Sequence, residues 1–214
     1  MKQIFLSALL AVAGIFLVST TASAQTVMES LPPYKFGFVA GLNASSFSDN
    51  QFDGKFGFHV GVNALFDASE LLKNTYLRTE LLVQRKGARY ENGGLEVKYR
   101  NFYLELPIHY GYALALNSDW TLFGETGPYL AVGIGGRVRT DWDGVKDNEK
   151  FFSYKDANGD DPNNFDFGWG VHVGGMFQQK HELKIGWDWG FIDMKKTEVS
   201  QNRNFMVSYC YYIR

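Results

Sequence analysis

Apolar and polar residues alternate with a period of two along most of the chain, and eight such runs follow one another. The first sets Phe36, Phe38, Ala40 and Leu42 against Lys35, Gly37, Val39, Gly41 and Asn43. The second sets Phe56, Phe58, Val60, Val62, Ala64 and Phe66 against Gly57, His59, Gly61 and Asn63. In the third, Leu77, Thr79, Leu81 and Val83 oppose Arg78, Glu80, Leu82 and Gln84; in the fourth, Phe102, Leu104, Leu106, Ile108 and Tyr110 oppose Tyr103, Glu105, Pro107 and His109. The fifth opposes Leu122, Leu130, Val132 and Ile134 to Glu125, Gly127, Tyr129 and Gly133. Three more complete the series: Phe165–Phe177 with Asp166 and His172 on its polar face, Glu182–Phe191 with Glu182, Lys184 and Asp188, and Asn204–Ile213 with Ser208 and Cys210. Strict alternation predicts half-buried antiparallel strands, and no segment holds a helical period beyond one turn.

The runs are separated by connections that alternate in length. Stretches 46–55, 87–97, 136–164 and 192–201 read as the longer loops, and 67–74, 113–119 and 178–180 as the shorter turns. A strand cannot donate a ladder hydrogen bond from proline, so Pro128 is expected at a bulge or strand end. Alternation does not say which face is inside. Large apolar side chains, including Trp169, Trp187 and Trp189, would overfill an eight-stranded interior, whereas the polar faces carry the glycines. Aromatics gather towards strand ends, as interfacial girdles do. The expected fold is therefore all-β: an eight-stranded antiparallel up-and-down transmembrane β-barrel, apolar side out.

The first residues change the picture by adding export. Lys2, an apolar stretch from Ile4 to Val18 and Ala22-Ser23-Ala24 match a secretory signal peptide with its cleavage site. The expected division is a cleaved signal peptide, 1–24, and an outer-membrane β-barrel domain, 25–214. Composition agrees: 18 Phe, 12 Tyr and 5 Trp stand beside 23 Gly, yet mean hydropathy is only −0.21. Alternating faces average out in this way. A formal charge of −2 argues against a nucleic-acid partner, and the single cysteine excludes an intramolecular disulfide.

Candidate chemistry is confined to the polar faces. Lys35, Arg78, Glu80, Glu105, His109, Glu125, Asp166, His172, Lys184 and Asp188 are expected to form a lumen network of paired charges, because unpaired ions there would be too costly. His59, His109 and His172 could ligate a metal or act as a base. They lie on alternate strands, however, and are read as partners of the lumen carboxylates. Ser208 with a histidine and a glutamate would suit hydrolysis, but no nucleophile motif surrounds it. Asp156-Ala157-Asn158-Gly159-Asp160-Asp161 offers oxygen ligands for calcium, but Phe167 stands where the twelfth-position glutamate should be. No catalytic residue, cofactor or metal is assigned.

Several segments together resemble the PorT-like outer membrane β-barrel family. They are Glu80-Leu81-Leu82-Val83-Gln84-Arg85-Lys86-Gly87-Ala88, Tyr103-Leu104-Glu105-Leu106-Pro107-Ile108, Gly127-Pro128-Tyr129-Leu130, Phe165-Asp166-Phe167-Gly168 and Gly190-Phe191. The resemblance implies an eight-stranded outer-membrane barrel of porin-family type, tolerates Pro107 and Pro128 within strands, and points to an association with secretion. It implies neither enzyme nor cofactor. The chain departs from barrel insertion signals by ending Tyr212-Ile213-Arg214 rather than on an aromatic residue. The expected role is non-enzymatic: structural, adhesive or within an envelope complex, with a narrow channel as the alternative and a lipid-modifying enzyme behind it. Expected partners are outer-membrane lipid and lipopolysaccharide, the barrel-insertion machinery and an envelope protein.

Overall fold

A computed structural model describes residues 34–48, 52–142, 145–150, 152, 163–195 and 198–213. The signal-peptide segment, the calcium-like segment 156–161 and Arg214 lie outside these residues.

Ten strands form one antiparallel sheet. They are β1 (Tyr34–Phe47), β2 (Phe52–Asp67), β3 (Thr75–Lys86), β4 (Ala88–Asn92), β5 (Leu95–Ala115), β6 (Trp120–Trp142), β7 (Val145–Lys150), β8 (Phe165–Phe177), β9 (His181–Lys195) and β10 (Glu198–Ile213). β4 continues the line of β3, and β7 pairs only with the far end of β6. The remaining ladders run β1–β2–β3–β5–β6–β8–β9–β10, and β10 pairs back onto β1. The ring therefore has eight staves in sequence order and no open edge, which is how a sheet escapes unpaired backbone in lipid.

The turns at 68–74, 116–119 and 178–180 share one end of the barrel with Tyr34 and Ile213. Gln178 and Gln179 both take positive φ (47° and 57°), the two-residue hairpin geometry that follows strand twist. Lys35 Nζ donates to the Gln179 carbonyl (3.2 Å) and Oε1 (3.1 Å), holding that turn. At the opposite end the staves run on past the membrane. β5, with 21 residues, would extend on the order of 70 Å, while about 9–11 tilted residues cross a bilayer.

Three connections differ from expectation here. In 192–201, residues 192–195 belong to β9 and 198–201 to β10. The stretch 87–97 is mostly strand: β4 and β5 form a hairpin turned at Gly93-Gly94, with φ of 55° and 87°. Much of 136–150 is likewise a β6–β7 ladder. Above the lipid the outer face of these strands is polar and the inner face packs around Ala88, Tyr99 and Val138, so the outward apolar alternation of the belt does not mark them in the sequence. Pro128 also differs: it sits mid-strand with no register shift. The β5–β6 register is the same on either side, Pro107↔Tyr129 and Tyr110↔Thr126, with Ile108 and His109 unpaired between them. The proline removes a donor and the ladder skips, but the neighbouring rungs hold.

The faces fall as the alternation predicts. Phe36, Phe38, Leu42, Val60, Leu81, Leu104, Leu130, Trp169, Trp187 and Tyr209 are exposed on the outside, a continuous apolar belt. A belt of this extent has no place in water and matches the lipid band of a transmembrane barrel. The core is the lumen.

Candidate functional site: a charge network in the lumen

Every second residue of a stave points inward, so the polar parity of each run converges on the axis. Among the described residues, six carboxylates (Glu80, Glu105, Glu125, Asp166, Glu182, Asp188) and three bases (Arg78, Lys86, Lys184) are buried there, each at most 3% exposed.

The end near the short turns is organised by Arg78. Its Nε donates to Glu125 Oε2 (2.7 Å), and its two terminal nitrogens fork onto Glu182 Oε1 (2.7 Å) and Oε2 (2.9 Å). Tyr212 Oη donates to Glu182 (2.8 Å) and Tyr76 Oη to Glu125 (2.8 Å). Planar, bidentate pairing of this kind is the arrangement that best offsets desolvation. Lys184 Nζ binds Glu80 Oε1 at 2.6 Å.

The end near the long loops is organised by Lys86. It donates to Glu105 Oε2 (2.6 Å), lies 4.0 Å from Asp166 and stands 4.7 Å from the centroid of the Tyr129 ring. Asp166 also accepts from Tyr129 Oη (3.1 Å) and Asn202 Nδ2 (2.8 Å). Gln84, with its amide oriented by its neighbours, donates to Glu105 (3.1 Å) and accepts from Asn204 Nδ2 (2.6 Å). Asn204 reaches on to Asp188 (3.3 Å), whose other oxygen accepts from His172 Nε2 (2.9 Å).

Glycines make room for these side chains. A Cβ on Gly168 would lie 2.5 Å from the Tyr129 ring, one on Gly174 2.5 Å from Phe123, and one on Gly186 would run into the His172 imidazole. Each of these large lumen groups is thus the register partner of a glycine on the adjacent strand, an alternation of large and small that fills a tapered interior.

Of the residues expected in the network, Arg78, Glu80, Glu105, Glu125, Asp166, Lys184 and Asp188 join it directly. His172 joins through Asp188. Lys35 stands apart at the turn end, half-buried against Gln179. Lys86 and Glu182 complete it, although neither was among the expected members. Both share inward parity with their neighbours Gln84 and Lys184, and that parity is the signal that could have included them. His109 and His172 meet after all: β6 separates their strands, yet their rings lie 4.5 Å apart inside the lumen, both beside Glu125. His59 is elsewhere, sharing a 2.8 Å hydrogen bond with Ser208.

That last pair has the spacing of a nucleophile and its base. Both residues are 1% exposed, and His59 Nδ1 has no hydrogen-bond partner, so no acid orients the imidazole. A substrate would have no route to it.

Among solved structures, Ail, the attachment invasion locus protein of Yersinia pestis, is 10% identical over 85% of this chain and 100% of its own, with a TM-score of 0.42. Neisserial surface protein A is 14% identical over 84% and 97% (TM-score 0.45). The outer membrane enzyme PagL is 13% identical over 84% and 99% (TM-score 0.44). No curated protein matches the chain significantly. The model of the outer membrane protein beta-barrel domain matches residues 24–196, most of the chain and seven of its eight staves. With that match, the closed ring and the apolar belt, the chain belongs to the outer membrane protein beta-barrel domain family.

Proposed function

We propose that this barrel is exported by a cleaved signal peptide (1–24), conducts no solute and catalyses no reaction, and serves as a rigid wall in an envelope complex of the PorT-like, secretion-associated kind. The observation that carries this reading is the lumen: charged, polar and aromatic side chains from every stave interlock there without solvent exposure. Eight staves leave an interior just wide enough for side chains to fill. Planar-bilayer recording of the purified protein tests it. No conductance steps are expected at any voltage; steady, protein-dependent steps would establish the channel reading instead.

A second feature supports contact with lipopolysaccharide. Just beyond the belt, on the long-loop side, Arg85, Lys98, Arg100, Arg137 and Arg139 lie on neighbouring strands. Lys98 pairs directly with Arg139, and Arg100 with Arg137. Like charges opposite one another destabilise a sheet, and phosphate at the level of the lipid headgroups would relieve that repulsion. Arg100→Ala with Arg137→Ala is expected to weaken co-purification of lipopolysaccharide several-fold, while folding in plain detergent is unchanged. Equal retention by the variant would remove this contact from the account.

A further inference from the structure

One lumen cluster is left with polar atoms that the network does not satisfy. Glu125 Oε1, His109 Nδ1, His109 Nε2 and His172 Nδ1 are all buried and all lack a hydrogen-bond partner. Each of the two Nδ1 atoms lies 3.5 Å from Glu125 Oε1. Such distances are long for an N–H···O bond, and burying unsatisfied groups costs about 1–3 kcal/mol each. Three of them facing one point need a common partner.

Charge points the same way. The six buried carboxylates exceed the three buried bases by three negative charges when the imidazoles are neutral. Asp188 accepts the Nε2 proton of His172 at 2.9 Å, so the remaining Nδ1 of a neutral imidazole turns a lone pair towards the Glu125 carboxylate. A lone pair facing an anion at that distance is repulsive unless a metal cation lies between them or a second proton makes His172 an imidazolium.

We propose that His109, Glu125 and His172 hold one divalent metal ion of the zinc class, with the three side chains as ligands. In a tetrahedral site with bonds of about 2.0–2.1 Å, ligand atoms stand roughly 3.3 Å apart. The two 3.5 Å contacts match that edge, and one donor atom from each of the three residues falls within 4.8 Å of the others. Imidazole and carboxylate are the ligand set that suits zinc, and a water completes four-coordination. Asp188 supplies the outer carboxylate that orients a metal-bound histidine. Two cations oppose the ion: Arg78 binds Glu125 Oε2 at 2.7 Å, and Lys184 Nζ stands 3.8 Å from Oε1. The three-charge excess of the lumen outweighs them, since a dication still leaves it at about −1. Gly170 leaves room for the two imidazoles on their Nε2 side, for a Cβ there would sit 3.1 Å from His109 Nε2 and 3.3 Å from His172 Nε2.

The position gives the ion a task. His109 is on β5, Glu125 on β6 and His172 on β8, three consecutive staves. His109 also lies at the point where the β5–β6 ladder skips opposite Pro128. A metal there ties together the seam that the proline weakens.

The test is to refold the full chain from urea into detergent with Co²⁺ or Zn²⁺ supplied during folding, since the site is enclosed, and then to remove free metal. One equivalent of metal per chain, four-coordinate Co²⁺ bands in the visible spectrum and a higher melting temperature than the metal-free protein are expected. H109Q and H172Q should each lose the metal, and H59Q should keep it, with gel heat-modifiability confirming that each has folded. Should a variant fail to fold, X-ray absorption of the wild-type zinc form reads the ligands directly, and two imidazoles per ion are expected. Metal-free wild type after both refoldings, a single or no imidazole in the absorption spectrum, or metal retained by folded H109Q/H172Q would overturn the proposal.

Discussion

Single residues in the lumen carry more of this barrel's specificity than its belt does. Arg78 is held by Glu125, Glu182 and Tyr212 at 2.7–2.9 Å. Arg78→Ala leaves two carboxylates buried without their cation, and a loss on the order of 3–5 kcal/mol is expected in urea unfolding from detergent or vesicles. A loss below about 1 kcal/mol would mean that the network does not stabilise the fold. Glycine positions separate in the same assay. Gly186→Ala forces a methyl into the His172 ring and is expected to cost about 1–3 kcal/mol. Gly135→Ala, where nothing lies within 4 Å, should stay within about 0.5 kcal/mol. The inward parity of Arg78, Glu80, Glu105 and Asp188 was legible from alternation alone. Their partners were not, because Arg78 and Glu182 stand 104 residues apart and only the stagger of the closed ring brings them level.

Elements divide at the membrane boundary, and legibility divides with them. Within the belt, one face of each strand must be apolar, so β1, β2, β8 and β10 announced themselves. Beyond it, the β4–β5 hairpin carries Arg89, Glu91, Glu96 and Lys98 in ion pairs at 2.5–2.6 Å and resembles a loop in composition. On the same side, partial burial, together with Arg100, Arg85 and Lys98, pushes the Lys55 ammonium down to about 8 from an ordinary 10.5. Between those values the unfolded chain binds more protons than the folded one, so this group makes stability rise with pH from about 8 towards 10.5. Lys55→Met should flatten that rise in unfolding measurements. An unchanged slope in the variant would contradict the assignment of that rise to Lys55.

At the scale of the whole molecule, two surfaces are exchanged relative to a soluble barrel: bulk and aromatic rings face out, and ions and glycines face in. Some rings nevertheless face in: Tyr103 and Tyr129, which the alternation puts on the polar faces, are buried in the lumen with Tyr76 and Tyr212. A tyrosine inside is a wide group with a polar tip, and each of the four is placed opposite or beside a charge: Glu125, Lys86, Asp166 and Glu182 respectively. The result is an interior packed across its width rather than a lined tube, and the claim of a closed lumen rests on that packing.

Cys210 reports on it without any substitution. It is the chain's single cysteine, it points into the lumen from β10, and its exposure is 0%. The most direct measurement is the rate at which a small, charged, membrane-impermeant methanethiosulfonate modifies Cys210 in the protein folded into lipid vesicles, compared with the same chain in urea. A closed lumen predicts that folded protein stays unmodified over hours while unfolded protein reacts at once. Rapid modification of the folded barrel would show an open, water-filled path and contradict the account.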